Sequence, residues 1–181
     1  MRAAGLLATA GLLLSGVNAH ADVLIRHTIV YDGTGGPPFA ADVRIQGDRI
    51  AAVAPQLEPL PGETVRDAHG LALAPGFIDM HSHGNGGLLA DLDAATVSRQ
   101  GVTTIVVGQD GESDYPLRDW FGKLTATPPA INVASMVGHA TLREQAMGKE
   151  LYRPSTAQEL AQMKSLLAKE LTAGAVGLST G

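Results

Sequence analysis

Two histidines, one residue apart, close an apolar run in "GFIDMHSHGN", residues 76–85. Side chains alternate along a strand, so His81 and His83 point to the same side and can reach one ion. Imidazole is a common ligand of zinc and other divalent metals. Their place at the end of an apolar strand favours a metal over a pair of polar loop residues. Asp79 lies two residues before His81. It is expected either to orient a ligand histidine as an outer carboxylate or to cap the strand end.

Other chemistry-bearing residues also fall at the ends of apolar runs. "GVTTIVVGQDG" finishes with Asp110, whose carboxylate could reach a metal held by the histidines. A turn aspartate before glycine is the plainer alternative, and Glu112 is a nearby competitor. "MVGHATLR" places His139 at a strand end, where it could contact substrate or metal, with Arg143 just beyond. A guanidinium there could pair bidentately with a substrate carboxylate. "GLSTG" carries Ser179 and Thr180 without a nearby base, so no serine nucleophile is expected. His20, His27 and His69 lie away from these strand ends and are read as structural or solvent-facing.

The elements that must position these residues change character along the chain. "MRAAGLLATAGLLLSGVNAHA" has one arginine, an apolar stretch and an A-x-A end, the parts of a secretory signal. Residues 1–21 are therefore expected to direct export to the periplasm or beyond, and the apolar stretch is too short to span a bilayer. Residues 22–74 read as short strands broken by "GTGGPP", with a hairpin turn near Gly47 and two further strands around His69-Gly70. From residue 75 the pattern becomes strand, helix, strand, helix. "GFIDMH", "VTTIVVG", "INVASMVG" and "AVGLST" are the four strands. "LLADLDAATVSRQ", "DYPLRDWFGKL" and "STAQELAQMKSLLAKELTA" are expected helices, with "HATLREQAMGKELYRP" as loop and short helix. In the last helix, Leu160, Met163, Leu166, Leu167 and Leu171 share one face, Ser155 with Gln158 forms a capping box and Gly174 stops the helix. This alternation means βαβ units and a parallel sheet.

The 181 residues carry a net charge of -5 and 45% apolar residues. Mild acidity without a basic run argues against nucleic-acid binding. With no cysteine, disulfides and thiolate ligands are excluded, so a metal must use imidazole and carboxylate.

The ordered set "LAPGFIDMHSHGN", "GVTTIVVGQDG", "VGHATLR" and "AGAVGLSTG", preceded by "VYDGTGGPPFAADVRIQGDRIAAV", resembles the N-terminal part of an amidohydrolase-superfamily enzyme of the D-aminoacylase (N-acyl-D-amino-acid deacylase) type. The resemblance implies an α/β fold: the first half of a metal-dependent (β/α)8 barrel, preceded by a small β-sandwich segment. It implies hydrolysis of the amide of a small N-acyl-D-amino acid, with one or two zinc ions or another divalent metal. His81 and His83 match the family's H-x-H. Asp110 falls where the family commonly has a bridging cysteine, a departure that suits metals with more oxygen character. The remaining ligands and the general base are expected on later strands. Residues 75–181 are far fewer than the roughly 250 of a full barrel, so the chain is expected to be a fragment, inactive alone. A dihydroorotase- or dipeptidase-like hydrolase of cyclic amides or peptides, or an inactive truncated relic, are the alternatives. The absence of lysine in "VGLSTG" favours the aminoacylase subgroup over the first.

Overall fold

Valine, isoleucine and threonine crowd the segments that become strands, and glycine and proline the segments between them. The structure, a computed structural model, describes residues 22–181. The expected export signal, residues 1–21, lies outside the described residues. The chain divides into two units, one ending at Pro75 and one running Gly76–Gly181.

The first unit is one five-stranded sheet built from β1 (Val23–Val30), β2 (Phe39–Gln46), β3 (Arg49–Ala54), β4 (Thr64–Asp67) and β5 (Ala72–Leu73). β2 lies between β3 and β1 and pairs antiparallel with both, the β2–β3 turn falling at Gly47-Asp48. β1 also pairs in parallel with β4 and β5. The register of β1 against β2 shifts between Ile25 and Thr28, where His27 adopts a left-handed φ of 56°. Buried Asp42 holds this irregularity: its carboxylate accepts the N–H groups of His27 at 2.9 Å and Leu57 at 3.0 Å. Arg44 and Glu63 form a two-pronged pair, at 2.7 and 3.2 Å, that fastens the loop after β3 to β2. Leu24, Val30, Ala41 and Val43 are buried.

The second unit alternates strands and helices in the order β6 (Phe77–Asp79), α1 (Asn85–Leu88), α2 (Ala95–Ser98), β7 (Val102–Val107), α3 (Leu117–Ala126), β8 (Asn132–Ser135), β9 (Val137–Gly138), α4 (His139–Met147), α5 (Ala157–Thr172) and β10 (Leu178–Ser179). β6, β7 and β8 pair in parallel, in chain order, and β9 pairs in parallel with β10. The segment expected as one strand, "INVASMVG", is split at Met136 because its two halves serve different neighbours. Val107 O accepts from Met136 N–H on one side, and Ser135 O from Val176 N–H on the other. The four parallel strands therefore run in chain order, with their carboxyl ends on one rim, as in part of a β/α barrel. Ile105, Val107, Leu117, Trp120, Val137 and Met163 fill the core between strands and helices.

Three local expectations are corrected. The helix expected across "LLADLDAATVSRQ" is reduced to one single turn, α2, with α1 ending at the segment's first residue, Leu88. Ala94 has φ 44°, and Leu92 O accepts from Ala130 N–H rather than from a helical partner. Aspartates at 91 and 93 favour such turns over helix interior. The capping box of α5 uses Thr156 and Glu159, one residue beyond Ser155 and Gln158. The buried face of α5 is narrower than the leucine pattern suggests: Met163 and Glu170 are buried, while Leu160 and Leu171 are each 45% exposed.

Candidate metal centre

β6 ends because Asp79 ends it. The Asp79 carboxylate accepts the main-chain N–H of His81 at 3.1 Å, turning the chain out of the ladder. This contact is the strand-capping one of the two roles expected of Asp79. Ser82 is buried, and its N–H donates to Val106 O at 3.0 Å. His81 and His83 flank it and project outward together, with ring centroids 5.4 Å apart.

β7 ends at Val107, and the next four residues include Gly108, Asp110 and Gly111 at φ values of 78°, 56° and 84°. Left-handed backbone is tolerated by glycine and, among other residues, best by asparagine and aspartate. This turn brings the Asp110 carboxylate back over β6. Its Oδ2 lies 3.2 Å from His81 Nε2 and 3.1 Å from His83 Nε2. The three donor atoms all lie within 4.8 Å of one another. Two imidazole nitrogens and one carboxylate oxygen converging this closely form a donor set that fits zinc or another divalent ion.

A cleft of about 480 Å³ opens beside the cluster, lined by His83, Asn85, Gln109, Asp110, Glu112 and Asp114 among others. Three of these are carboxylic acids and none is lysine or arginine, so this wall favours a cation. Asn85 donates to Asp114 at 2.8 Å, tying the loop after β6 to the loop after β7.

The other sequence candidates lie elsewhere. His139 opens α4 at the carboxyl end of β9, half-buried and outside the three-donor cluster. Arg143 sends its guanidinium to the carbonyls of Leu151 and Arg153, where it holds the loop after α4. Glu112 lines the cleft but is not one of the three converging donors.

Gly138 carries a role that its local sequence does not mark. A Cβ there would stand 2.2 Å from Gly111 O and 2.6 Å from Glu112 Cα, so only glycine lets β9 approach the Asp110 turn this closely. Ser113 Oγ accepts the Gly138 N–H at 3.0 Å, and Thr141 Oγ1 accepts the Ser113 N–H at 2.9 Å. The glycine before "HATLR" was visible in the sequence, but nothing local distinguishes it from a turn glycine.

The family model for the amidohydrolase family matches residues 64–181. The chain is 41% identical over 186 residues to N-acyl-D-aspartate deacylase of Alcaligenes xylosoxydans xylosoxydans, covering 90% of this chain and 37% of that protein. Its fold superposes on the crystal structure of N-acyl-D-glutamate deacylase from Bordetella bronchiseptica, complexed with zinc and a phosphonate mimic of the tetrahedral intermediate. There the TM-score is 0.83 at 37% identity, over 89% of this chain and 38% of that one. A D-aminoacylase structure with a binuclear metal centre matches at a TM-score of 0.73 and 36% identity, covering 88% and 38%. The chain thus spans a little over a third of the length of the relatives it matches.

Proposed function

Because the chain belongs to the amidohydrolase family, we propose that it forms the metal-holding end of a hydrolase that cleaves the amide bond of N-acyl-D-amino acids. One observation carries this reading: His81, His83 and Asp110 converge at the carboxyl ends of adjacent parallel strands, in a chain similar to deacylases over nine-tenths of its length.

His81 and His83 would hold zinc through their imidazole nitrogens, and Asp110 would supply a carboxylate oxygen to the same centre. A metal held there would supply Lewis acidity, making a bound water more acidic and an acyl carbonyl more electrophilic. The chain's own residues hold and orient. Asp79 fixes the backbone of His81, the buried Ser82 anchors the H-x-H to β7, and the acidic cleft wall concentrates cations near the donors. His139, at the rim end of α4, is the residue of this chain we propose to meet the substrate. Arg143 supports it indirectly, by ordering the loop after α4. The composition of residues 1–21 supports export to the periplasm or beyond. N-terminal sequencing of the mature protein tests that, and an intact Met1 would overturn it.

Isothermal titration of zinc into the purified chain tests the centre. Binding by the wild type, lost in His81→Ala, His83→Ala and Asp110→Asn, is the expected result; equal binding by all four overturns it. Release of free D-amino acids from N-acyl-D-aspartate, N-acyl-D-glutamate and neutral N-acyl-D-amino acids, by the enzyme carrying this chain, tests the substrate class. Hydrolysis of cyclic amides instead would replace it.

A further inference from the structure

Of the three donors, Asp110 alone has a left-handed backbone. Such a conformation is uncommon in a residue other than glycine, though aspartate accepts it better than most, and here the neighbouring residues are fastened so as to hold it. The residues on either side of Asp110 are both tied to distant parts of the chain, Gln109 through its own side chain and Gly111 through its main-chain N–H. Gln109 is buried, and its Nε2 donates at 2.8 Å to the carbonyl of Met80, the residue immediately before His81. Ser179 is buried on β10, and its Oγ accepts the N–H of Gly111 at 3.2 Å. The Gly111 carbonyl is occupied as well, by the N–H groups of Ala140 at 2.8 Å and Thr141 at 3.3 Å in the first turn of α4. Asp110 is thus suspended between the β6 loop on one side and β10 with α4 on the other.

We propose that Gln109 and Ser179 are positioning residues that set the Asp110 carboxylate against the imidazoles of His81 and His83. The inference rests on the metal reading of those three donors. Gln109 ties together the two loops that carry all three of them, so their spacing depends on its amide. Ser179 fixes the outer flank of the turn. Without its hydroxyl, the buried Gly111 N–H loses its acceptor, and the turn is free to relax toward backbone angles that carry the carboxylate away. Neither residue is close enough in sequence to the histidines for a local rule to enforce the geometry.

The test is cobalt(II) titrated into the purified chain and followed by d–d absorption, with zinc affinity from chelator competition on the same samples. Gln109→Met and Ser179→Ala are expected to weaken zinc binding about 10- to 100-fold, the usual effect of removing a partner behind a metal ligand, and to shift the cobalt spectrum. Ser179→Thr, which keeps the hydroxyl, is expected to restore both. Zinc bound equally by the wild type and Asp110→Asn would refute the metal reading and this inference with it. Loss of binding in Asp110→Asn, with wild-type affinity and spectrum in both Gln109→Met and Ser179→Ala, would overturn the positioning role alone. Should these variants not fold, amide exchange in the wild type decides. The Gly111 N–H must be protected, and exchange at the rate of an unstructured amide overturns the role of Ser179.

Discussion

Gly138 shows how much a single hydrogen atom decides at the rim. Its missing Cβ leaves room for Gly111 O at a distance no side chain could accept. Gly138→Ala is expected to push the Asp110 turn away from β9, costing about 1–3 kcal/mol of stability by overpacking and weakening zinc binding. Gly86→Ala, where an added Cβ meets nothing within 4 Å, is expected to leave zinc binding unchanged; urea unfolding and zinc titration of both variants check the pair. Asp42 sets a different test in the first unit. Burial raises its carboxyl pKa, but the N–H groups of His27 and Leu57 and the charge of Arg26 outweigh burial and hold it below the usual value. A depressed folded pKa means Asp42 stabilises the sheet above the ordinary aspartate pKa, near 3.9. That contribution is lost as pH falls through the lower folded value. Amide protection at His27 and Leu57 is expected to fade in that acid range. Asp42→Ala, which orphans both N–H groups, should cost about 2–4 kcal/mol at neutral pH.

At the scale of the element, α5 joins its own start to another helix. Its N-terminus is closed by Thr156 Oγ1, which accepts the Glu159 N–H at 3.2 Å, and by Glu159, which accepts the Thr156 N–H at 2.7 Å. Arg153 adds two charged hydrogen bonds to Glu159, at 2.8 and 2.6 Å. Arg153 first, and then the Thr156 N–H, bring the Glu159 pKa down to about 2. The cap is therefore complete above the ordinary glutamate value and is expected to persist through pH 3, failing only as pH falls toward 2. An NMR titration of the Thr156 amide checks this; loss of the cap near pH 4 would contradict it. Thr156→Ala is expected to cost about 1 kcal/mol, read from urea unfolding. The periodicity of α5 was legible in the sequence, but its depth was not. Glu170 is buried where a leucine-rich face would lead one to expect an apolar residue, because its carboxylate accepts the Leu117 N–H at 2.7 Å and caps α3 across the packing interface. A cap supplied from another helix leaves no trace in local spacing.

At the scale of the whole molecule, parallel strand order is what turns four separate strand ends into one rim. β7 is paired on both sides, whereas among the described residues β6 and β8 pair only with β7, and β9 and β10 only with each other. Phe77, Ile78 and Met80 on the β6 segment, and Val176 before β10, are each about 60% exposed. A metal held across the loops after β6 and β7 would bind only the folded rim, so ligand binding there should be felt in stability. Zinc at 100 times its dissociation constant is expected to stabilise the Gly76–Gly181 unit by about 2.7 kcal/mol. Thermal melting should rise with zinc, return with EDTA and show no rise in Asp110→Asn. A zinc-independent melting temperature in the wild type would contradict the site.

The sequence by itself determined the alternation of strands and helices after Pro75, the short-stranded unit before it and the fall of His81, His83 and Asp110 at strand ends. Those properties follow from β-branched runs, helical spacing and glycine breaks within a few residues. Only the tertiary structure decided that one oxygen of Asp110 meets both imidazoles, that Asp79 serves the backbone, that Arg143 is taken up by a loop and that Gln109 and Ser179 brace the turn. The reason is distance along the chain: Asp110 and Gln109 meet the β6 loop across 29 residues, and Gly111 meets Ser179 across 68. No local period links residues so far apart; the parallel sheet brings them together.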